Sequence, residues 1–316
     1  MEKAIIALAA ALAIGIPALV NALIARRAGR IEPPVWGRTH RYAWRFGEIA
    51  FQRLGEGTPL VLLHSFGPGH DSAQWRRSAE LLARHHVLFV PDLLGWGRSE
   101  KPALTYDGEI YIELLADFLA DVVRRRAVVV ACGLSAAYAV QVAVDQPELV
   151  RALVLVSPLG LDTFSDEPDL KDAIIHRVFK LPIFGTSALN VYTSRAGITS
   201  HLRREVYALP DRVDAALVEH YYRSSHQPGA RATLAGYLAG YLNHGVSEIL
   251  PRVTQPTVFA WGRSAVSPPV ESADLWLHKL PAAELEVFSG AGILPHAEVP
   301  AAFSQVLERF VADLAD

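Results

Sequence analysis

Short runs of apolar, β-branched residues that alternate with helical patterns constrain the fold of this chain most strongly. Six such runs span Leu60–Leu63, Val87–Val90, Val128–Ala131, Leu153–Val156, Val258–Trp261 and Leu285–Phe288. Helical patterns over Ser72–Arg84, Ile110–Val123 and Ala136–Asp145 separate the first four runs. Continuous apolar strands are buried on both faces, and an intervening helix makes neighbouring strands parallel. The sequence therefore predicts an α/β fold, with a parallel sheet that helices cover on both faces.

Two further segments surround this core. The alternating side chains of Arg41–Phe46 and Ile49–Leu54 predict a hairpin at the sheet edge. Within residues 161–249 the strand pattern stops, and helical patterns interrupted by prolines replace it. These patterns cover Leu170–Phe179, His201–Ala208, Val213–Arg223 and Arg231–Leu242. We expect a core of residues 31–160 plus 250–316 and an inserted helical cap, 161–249. The aromatic side chains of the cap either line an apolar ligand pocket over the sheet or pack within the cap, which is the commoner arrangement.

The first thirty residues form a separate segment. Ala4–Ala25 contains no charge and one strongly polar residue, Asn21, and its length is that of a helix that crosses a bilayer. Arginines at positions 26, 27 and 30 follow it, so the positive-inside rule places the body of the chain in the cytoplasm. Residues 1–30 are therefore expected to be a membrane anchor. The alternative is a signal peptide cleaved near Ala22, which would make the body secreted or periplasmic.

Charge and cysteine content exclude several classes of function. The 30 basic and 33 acidic residues are well mixed and give a net charge of −3, so no basic surface for nucleic acid is expected. The single cysteine, Cys132, excludes an internal disulfide and a cysteine-built metal site. The His85-His86 pair has no third ligand at useful spacing. We therefore predict neither a metal nor another cofactor.

One motif carries potential chemistry. The third apolar run leads into Cys132-Gly133-Leu134-Ser135-Ala136-Ala137 and then into an alanine-rich helix. Small residues two positions on either side of Ser135 permit a sharp strand-to-helix turn, which lifts a serine hydroxyl above a sheet. The N–H of Ala136 then points toward a developing oxyanion. This pattern predicts Ser135 as a nucleophile and Ala136 as an oxyanion donor.

Three other strings accompany this motif in a fixed order. They are His64-Ser65-Phe66-Gly67, Pro91-Asp92-Leu93-Leu94-Gly95-Trp96-Gly97-Arg98-Ser99 and Gly290-Ala291-Gly292-Ile293-Leu294-Pro295-His296-Ala297-Glu298-Val299-Pro300. Across about residues 40–316 the chain resembles the capped, lipase/esterase-like branch of the α/β-hydrolase superfamily. The resemblance implies an eight-stranded, mostly parallel sheet, a cap after the sixth strand and a Ser–His–acid site. It also implies that Phe66 supplies a second oxyanion N–H.

The chain departs from the family pattern at three positions. Ser65 replaces the glycine that usually follows the histidine of the oxyanion loop. Ala265 stands where most relatives carry the catalytic acid, and Ile293 stands where they carry the catalytic histidine. The triad is therefore degenerate by the family pattern.

A serine site built from neighbouring residues is physically possible. His296, three positions beyond Ile293, is the candidate base for Ser135. Asp162, which follows the fourth apolar run, is the preferred orienting acid, and Glu298 and Glu271 are alternatives. The competing interpretation is that His296 packs against the last helix and that Asp162 is solvated.

Two main functions follow from these features. The first is a membrane-anchored serine hydrolase acting on an ester of an apolar small molecule. The second is a non-catalytic protein of the same fold that binds a ligand or a protein partner at the membrane. A lyase or another non-hydrolytic reaction is a third possibility, because a fold does not determine the reaction.

Overall fold

The core of the molecule is a twisted sheet between two layers of helices. The computed structural model describes residues 2–32 and 36–314, and the side chains of residues 2–12 lie outside the described part. In the described part, eight strands form the sheet: β1 Arg38–Trp44, β2 Gly47–Leu54, β3 Thr58–Leu63, β4 His86–Pro91, β5 Ala127–Cys132, β6 Val150–Val156, β7 Thr257–Gly262 and β8 Glu284–Phe288. Their spatial order is β1-β2-β4-β3-β5-β6-β7-β8.

The pairing of these strands confirms the predicted fold class. β1 and β2 form the expected edge hairpin, with Trp44 opposite Gly47, and β2 is also antiparallel to β4. All the other neighbours in the sheet are parallel. β3 lies between β4 and β5, so the chain reverses its direction of strand addition there. Loops at the carboxyl ends of β3 and β5 therefore come together, which is where ligands bind in open α/β sheets.

Helices cover both faces of the sheet and form the insertion between β6 and β7. The core helices are α2 Arg76–Leu82, α3 Gly108–Phe118, α4 Ser135–Asp145, α10 Ala273–Lys279, α11 Pro295–Glu298 and α12 Pro300–Asp313. The inserted helices are α5 Leu170–Lys180, α6 Phe184–Tyr192, α7 Arg195–His201, α8 Ala215–Ser225 and α9 Ala230–Leu238. The sequence patterns did not predict α6. The residue bounds that we assigned to core and cap stay predictions.

The central strand β5 shows how the sheet separates two apolar cores. Val128, Val130 and Cys132 face the layer that contains Trp75 and the cap helix α8. Ala127, Val129 and Ala131 face the opposite layer, which contains α3 and α4. Every residue of β5 is buried, as expected for a strand with helices on both sides. The Cys132 side chain is therefore a core residue, and burial raises the pKa of its thiol.

The N-terminal helix α1, Glu2–Ala28, contacts the cap. Asn21 donates to the Ile183 carbonyl over 3.0 Å and accepts from Asn190 over 2.9 Å, so its polar side chain binds α6. Leu19 and Leu23 are among its exposed apolar residues. Among the described residues, the structure contains no helix whose length and apolarity suit it to span a bilayer. The predicted anchor thus lacks structural support, and part of its segment, the side chains up to residue 12, lies outside the described part.

A buried carboxylate connects the loops beneath the cap. Asp92, directly after β4, accepts the N–H groups of Ser72 and Arg98, each over 2.8 Å. Gly97 lies against it with φ +50°, and a Cβ on Gly97 would approach the Asp92 carboxylate carbon to 2.3 Å. Gly97 is therefore required both by its backbone conformation and by the close approach of Asp92.

We expect Gly97→Ala to destabilise the fold by about 3 kcal/mol, since it adds a steric conflict with Asp92 to the strain of a positive φ. The matched control is Gly290→Ala, where φ is +72° and nothing lies within 4 Å of the added Cβ. That variant is expected to lose only about 1 kcal/mol. Urea unfolding of both variants provides the measurement. Equal losses would show that the Asp92 contact is unimportant.

Candidate functional site

The strand-to-helix turn after β5 has its strained position at Gly133. Gly133 has φ +60°, and its N–H donates to the Val156 carbonyl over 2.9 Å. Leu134 already has helical angles, φ −70° and ψ −24°, and α4 begins at Ser135. A catalytic serine of this fold occupies the sharp, strained point of the turn. In this chain a glycine occupies that point, and Ser135 lies two residues further along, at the start of α4.

Ser135 faces the protein interior. Its side chain is fully buried, and its hydroxyl donates to the His64 carbonyl over 2.6 Å. This short hydrogen bond directs the hydroxyl proton to a backbone oxygen of the β3 loop rather than to a base. Activation of Ser135 would require the side chain to leave this hydrogen bond. The predicted role of Ser135 as a nucleophile stays a prediction.

The two predicted oxyanion donors lie on the turn after β5 and in the β3 loop. The Ala136 N–H donates to the Gly133 carbonyl over 3.1 Å and so closes the turn. The Phe66 ring packs edge-to-face on Tyr111 and Trp96, with centroids 4.9 and 5.4 Å away. Ser65 lies close to the turn: a Cβ added to Gly133 would be 2.5 Å from the Ser65 Oγ. Ser65 therefore occupies space beside the turn that a side chain at position 133 would need.

His64 is a neutral structural histidine. Its Nε2 accepts the Leu93 N–H over 3.0 Å, so the ring proton resides on Nδ1 and is donated to the Ser65 carbonyl, 2.7 Å away. Burial lowers the pKa of His64, which keeps the ring uncharged. The ring thus joins the loop after β3 to the loop after β4.

His296 is buried on the first turn of α11 and stacks on Trp75, with ring centroids 3.7 Å apart. Neither of its ring nitrogens has a hydrogen-bond partner. Burial lowers the pKa of His296 to about 3, so the imidazole is neutral at physiological pH. The described hydrogen bonds do not join His296 to Ser135, and Ser135 is already bonded to His64. The structure therefore places the candidate base under the cap without pairing it to the serine.

None of the three candidate acids orients His296. Asp162 is exposed, and it accepts a hydrogen bond from the Ser272 hydroxyl over 2.8 Å. Glu298 is buried, and its carboxylate accepts the N–H groups of Gly292 and Ala208, which ties the loop after β8 to the cap. Burial raises the pKa of Glu298. Glu271 lies exposed in the turn before α10.

The two substituted triad positions are filled by apolar side chains. Ala265 is buried and its N–H donates to the Gly262 carbonyl over 3.1 Å. The Ile293 N–H donates to the Val206 carbonyl of the cap, also over 3.1 Å. Both positions therefore contribute backbone hydrogen bonds and packing, with no titratable group.

A cluster of polar side chains around His296 lies beneath the cap, and the sequence patterns did not reveal it. We define it as His70, Gln74, His201, Tyr221 and His296. His70 contacts the rings of Tyr221 and His201 and lies 3.5 Å from the Gln74 carbonyl oxygen. His201 Nε2 is buried without a hydrogen-bond partner, while Gln74 interacts with the Cys132 thiol and Tyr221 with the Tyr207 hydroxyl. The polar cluster thus brings polar side chains of the core and of the cap together.

A buried ion pair holds the cap on the core at this cluster. His220 on α8 binds Asp71 of the β3 loop, with Nε2 2.9 and 3.0 Å from the two carboxylate oxygens. The charge of Asp71 raises the pKa of His220 against the effect of burial. Burial alone would raise the pKa of Asp71, but His220 and Arg98 together lower it well below its usual range. Since 149 residues separate the partners, no local pattern could predict the pair.

With this geometry described, comparison with known proteins gives the class of the chain. Residues 60–306 match the sequence profile of the alpha/beta hydrolase family. The match covers more than half of the chain and agrees with the observed sheet and elbow. The chain belongs to the α/β-hydrolase family.

Individual relatives are distant but cover most of the chain. It is 28% identical to an uncharacterised protein of Mycobacterium tuberculosis, over 83% of this chain and 77% of that protein. It is 26% identical to a 2-hydroxy-6-oxo-6-(2'-aminophenyl)hexa-2,4-dienoic acid hydrolase of Metapseudomonas resinovorans, over 85% of this chain and 89% of that hydrolase. The solved structure of a membrane phospholipase A, a bacterial virulence factor, superposes on this chain with a TM-score of 0.70 at 22% identity. The superposition covers 99% of this chain and 97% of the phospholipase chain. At that identity the last comparison concerns the fold alone.

The His220–Asp71 pair predicts a pH-dependent contribution to stability. Because the folded-state pKa of His220 is raised, the contribution is fully present below about pH 6.5 and is lost as the pH rises through the folded-state value. The measurement is thermal unfolding of wild type and His220→Gln from about pH 6 to about pH 9. We expect the variant to be about 2 kcal/mol less stable than wild type at about pH 6, and we expect this difference in stability to shrink as the pH rises. The control is His278→Gln, at an exposed histidine on α10. A difference that is constant with pH would contradict a charged His220.

Proposed function

We propose that this member of the α/β-hydrolase family binds a small ligand between core and cap and does not use the serine-nucleophile chemistry of its relatives. The observation that carries the proposal is the conformation of the turn after β5. Gly133 has the positive φ at the point where this fold presents its nucleophile, and glycine has no reacting atom there. The ligand is taken to be partly apolar, as the aromatic side chains of the cap suggest.

The remaining parts of a triad support the same proposal. A base must lie within hydrogen-bond reach of the nucleophile and be oriented by a third group. His296 is stacked on Trp75, and Asp162, its expected partner, binds Ser272 instead. Ala265 and Ile293 fill the family positions of the acid and the histidine. We therefore regard the triad as degenerate and the scaffold as retained for binding.

A serine hydrolase acting on an ester is the second candidate function. Two observations favour it: the unpaired, neutral ring nitrogens of His296, which could accept a proton, and the relative from Metapseudomonas resinovorans, which is named a hydrolase. This candidate needs Ser135 to leave the His64 carbonyl and His296 to leave Trp75. Both movements break contacts of fully buried side chains.

Attachment of the chain to a membrane through residues 1–30, with the body in the cytoplasm, stays a proposal. It is supported by the apolar composition of the segment and by exposed apolar side chains on the described part of α1. Co-sedimentation of the full chain with phospholipid vesicles, lost on deletion of residues 1–30, is the expected result. A full-length chain that remains in the supernatant would contradict it.

Labelling with a serine-directed fluorophosphonate separates the two functions. We expect the folded wild-type chain to remain unlabelled, since Ser135 is buried and has no base. Ser135→Ala should give the same result and, by losing one buried hydrogen bond, cost about 1 kcal/mol in stability.

The control variant is Ser157→Ala, at a second buried serine, which follows β6. Wild-type labelling that disappears in Ser135→Ala and persists in Ser157→Ala would overturn the binding proposal and establish the hydrolase. Loss of that labelling in His296→Ala, with the fold intact by circular dichroism, would further identify His296 as the base.

A further inference from the structure

A cavity of about 190 Å³ opens between α2 of the core and α8 of the cap. Its walls include Gln74, Arg76, Arg77, Arg212, His220 and Tyr221. The first three belong to the segment that follows the β3 loop, and the last three come from the cap. A ligand in this cavity would therefore contact both layers at once.

The charge of the cavity wall is strongly positive. Among the described ion pairs, none involves Arg76, Arg77 or Arg212. Arg212 donates to the backbone carbonyl of Glu298, which holds its guanidinium at the wall. The one carboxylate in the lining, Asp214, accepts the Leu217 N–H over 2.7 Å as the N-cap of α8. Three arginines thus line the cavity outside the described ion pairs; Arg76 and Arg77 are exposed, and Arg212 is partly buried.

Two buried polar groups connect the cavity to the interior. Gln74 and Tyr221 are at least nine-tenths buried, and both line the cavity. The Tyr221 hydroxyl interacts with that of Tyr207, which also lines the cavity, and Gln74 interacts with the Cys132 thiol. Gln74 also accepts the Ser65 N–H over 3.4 Å through its carbonyl oxygen, and Ser65 lies beside Gly133. Gln74 and Ser65 therefore lie between the cavity and the turn after β5.

We propose that this cavity binds the carboxylate of a small organic acid. The inference rests on the proposed binding function and names the class of ligand. The guanidinium fork matches a carboxylate in two parallel hydrogen bonds. Since a water molecule takes up about 30 Å³, the volume suits a ligand of roughly six to ten non-hydrogen atoms.

Calorimetric titration of the full chain with hexanoate tests the proposal. Hexanamide is the matched neutral probe, because it has the same size and shape without the charge. Hexanoate is expected to bind at least tenfold more tightly than hexanamide, and the double variant Arg76→Gln/Arg77→Gln is expected to lose that preference. The control variant is Arg84→Gln, which removes an exposed charge after α2 and outside the cavity lining.

Each outcome decides for or against the carboxylate site. No binding of hexanoate at millimolar concentration, equal binding of both probes, or a preference that survives in a folded Arg76→Gln/Arg77→Gln variant would overturn it. Competition by inorganic phosphate with equal affinity would show a general anion site and would also overturn it. Fluorophosphonate labelling of the same preparation reports on Ser135 separately, so failure of the carboxylate site and failure of the binding function remain distinguishable.

Discussion

The positive φ of Gly133 is the constraint on which the candidate site depends. It ends β5 and turns the chain so that α4 begins at Ser135. This start places the Ser135 hydroxyl on the His64 carbonyl, inside the protein. It also leaves room for Ser65, whose Oγ would lie 2.5 Å from a side chain at position 133. The burial of the Ser135 hydroxyl is thus a consequence of this backbone conformation.

The interface between cap and core is built from polar contacts around neutral histidines. The Asp71–His220 pair and the Glu298 carboxylate connect the two layers at separate points. Between them, burial lowers the pKa values of His70 and His296 to about 3, so these rings carry no charge. The three arginines that line the cavity beside this interface suit the capture of an anion.

The architecture was predictable from the sequence because buried parallel strands are continuous apolar runs of the right length. The position of the sharp point in the turn after β5 was not predictable from the sequence. Small residues flank Ser135 at Gly133 and Ala137, but they also flank Gly133 at Ala131 and Ser135, so either residue satisfies the pattern. Only the φ angle distinguishes them. The Asp71–His220 pair and the arginine cavity were also out of reach, because their members come from segments far apart in the chain.

The most direct test of the central claim, that Ser135 is not a nucleophile, is intact-protein mass spectrometry after incubation with p-nitrophenyl acetate at pH 8. An active serine attacks the activated ester, displaces p-nitrophenolate and carries the acetyl group until water removes it. The account predicts that peptide mapping finds no acetyl group on Ser135 of the wild-type chain at any quench time. An acetyl adduct that peptide mapping places on Ser135 would contradict it.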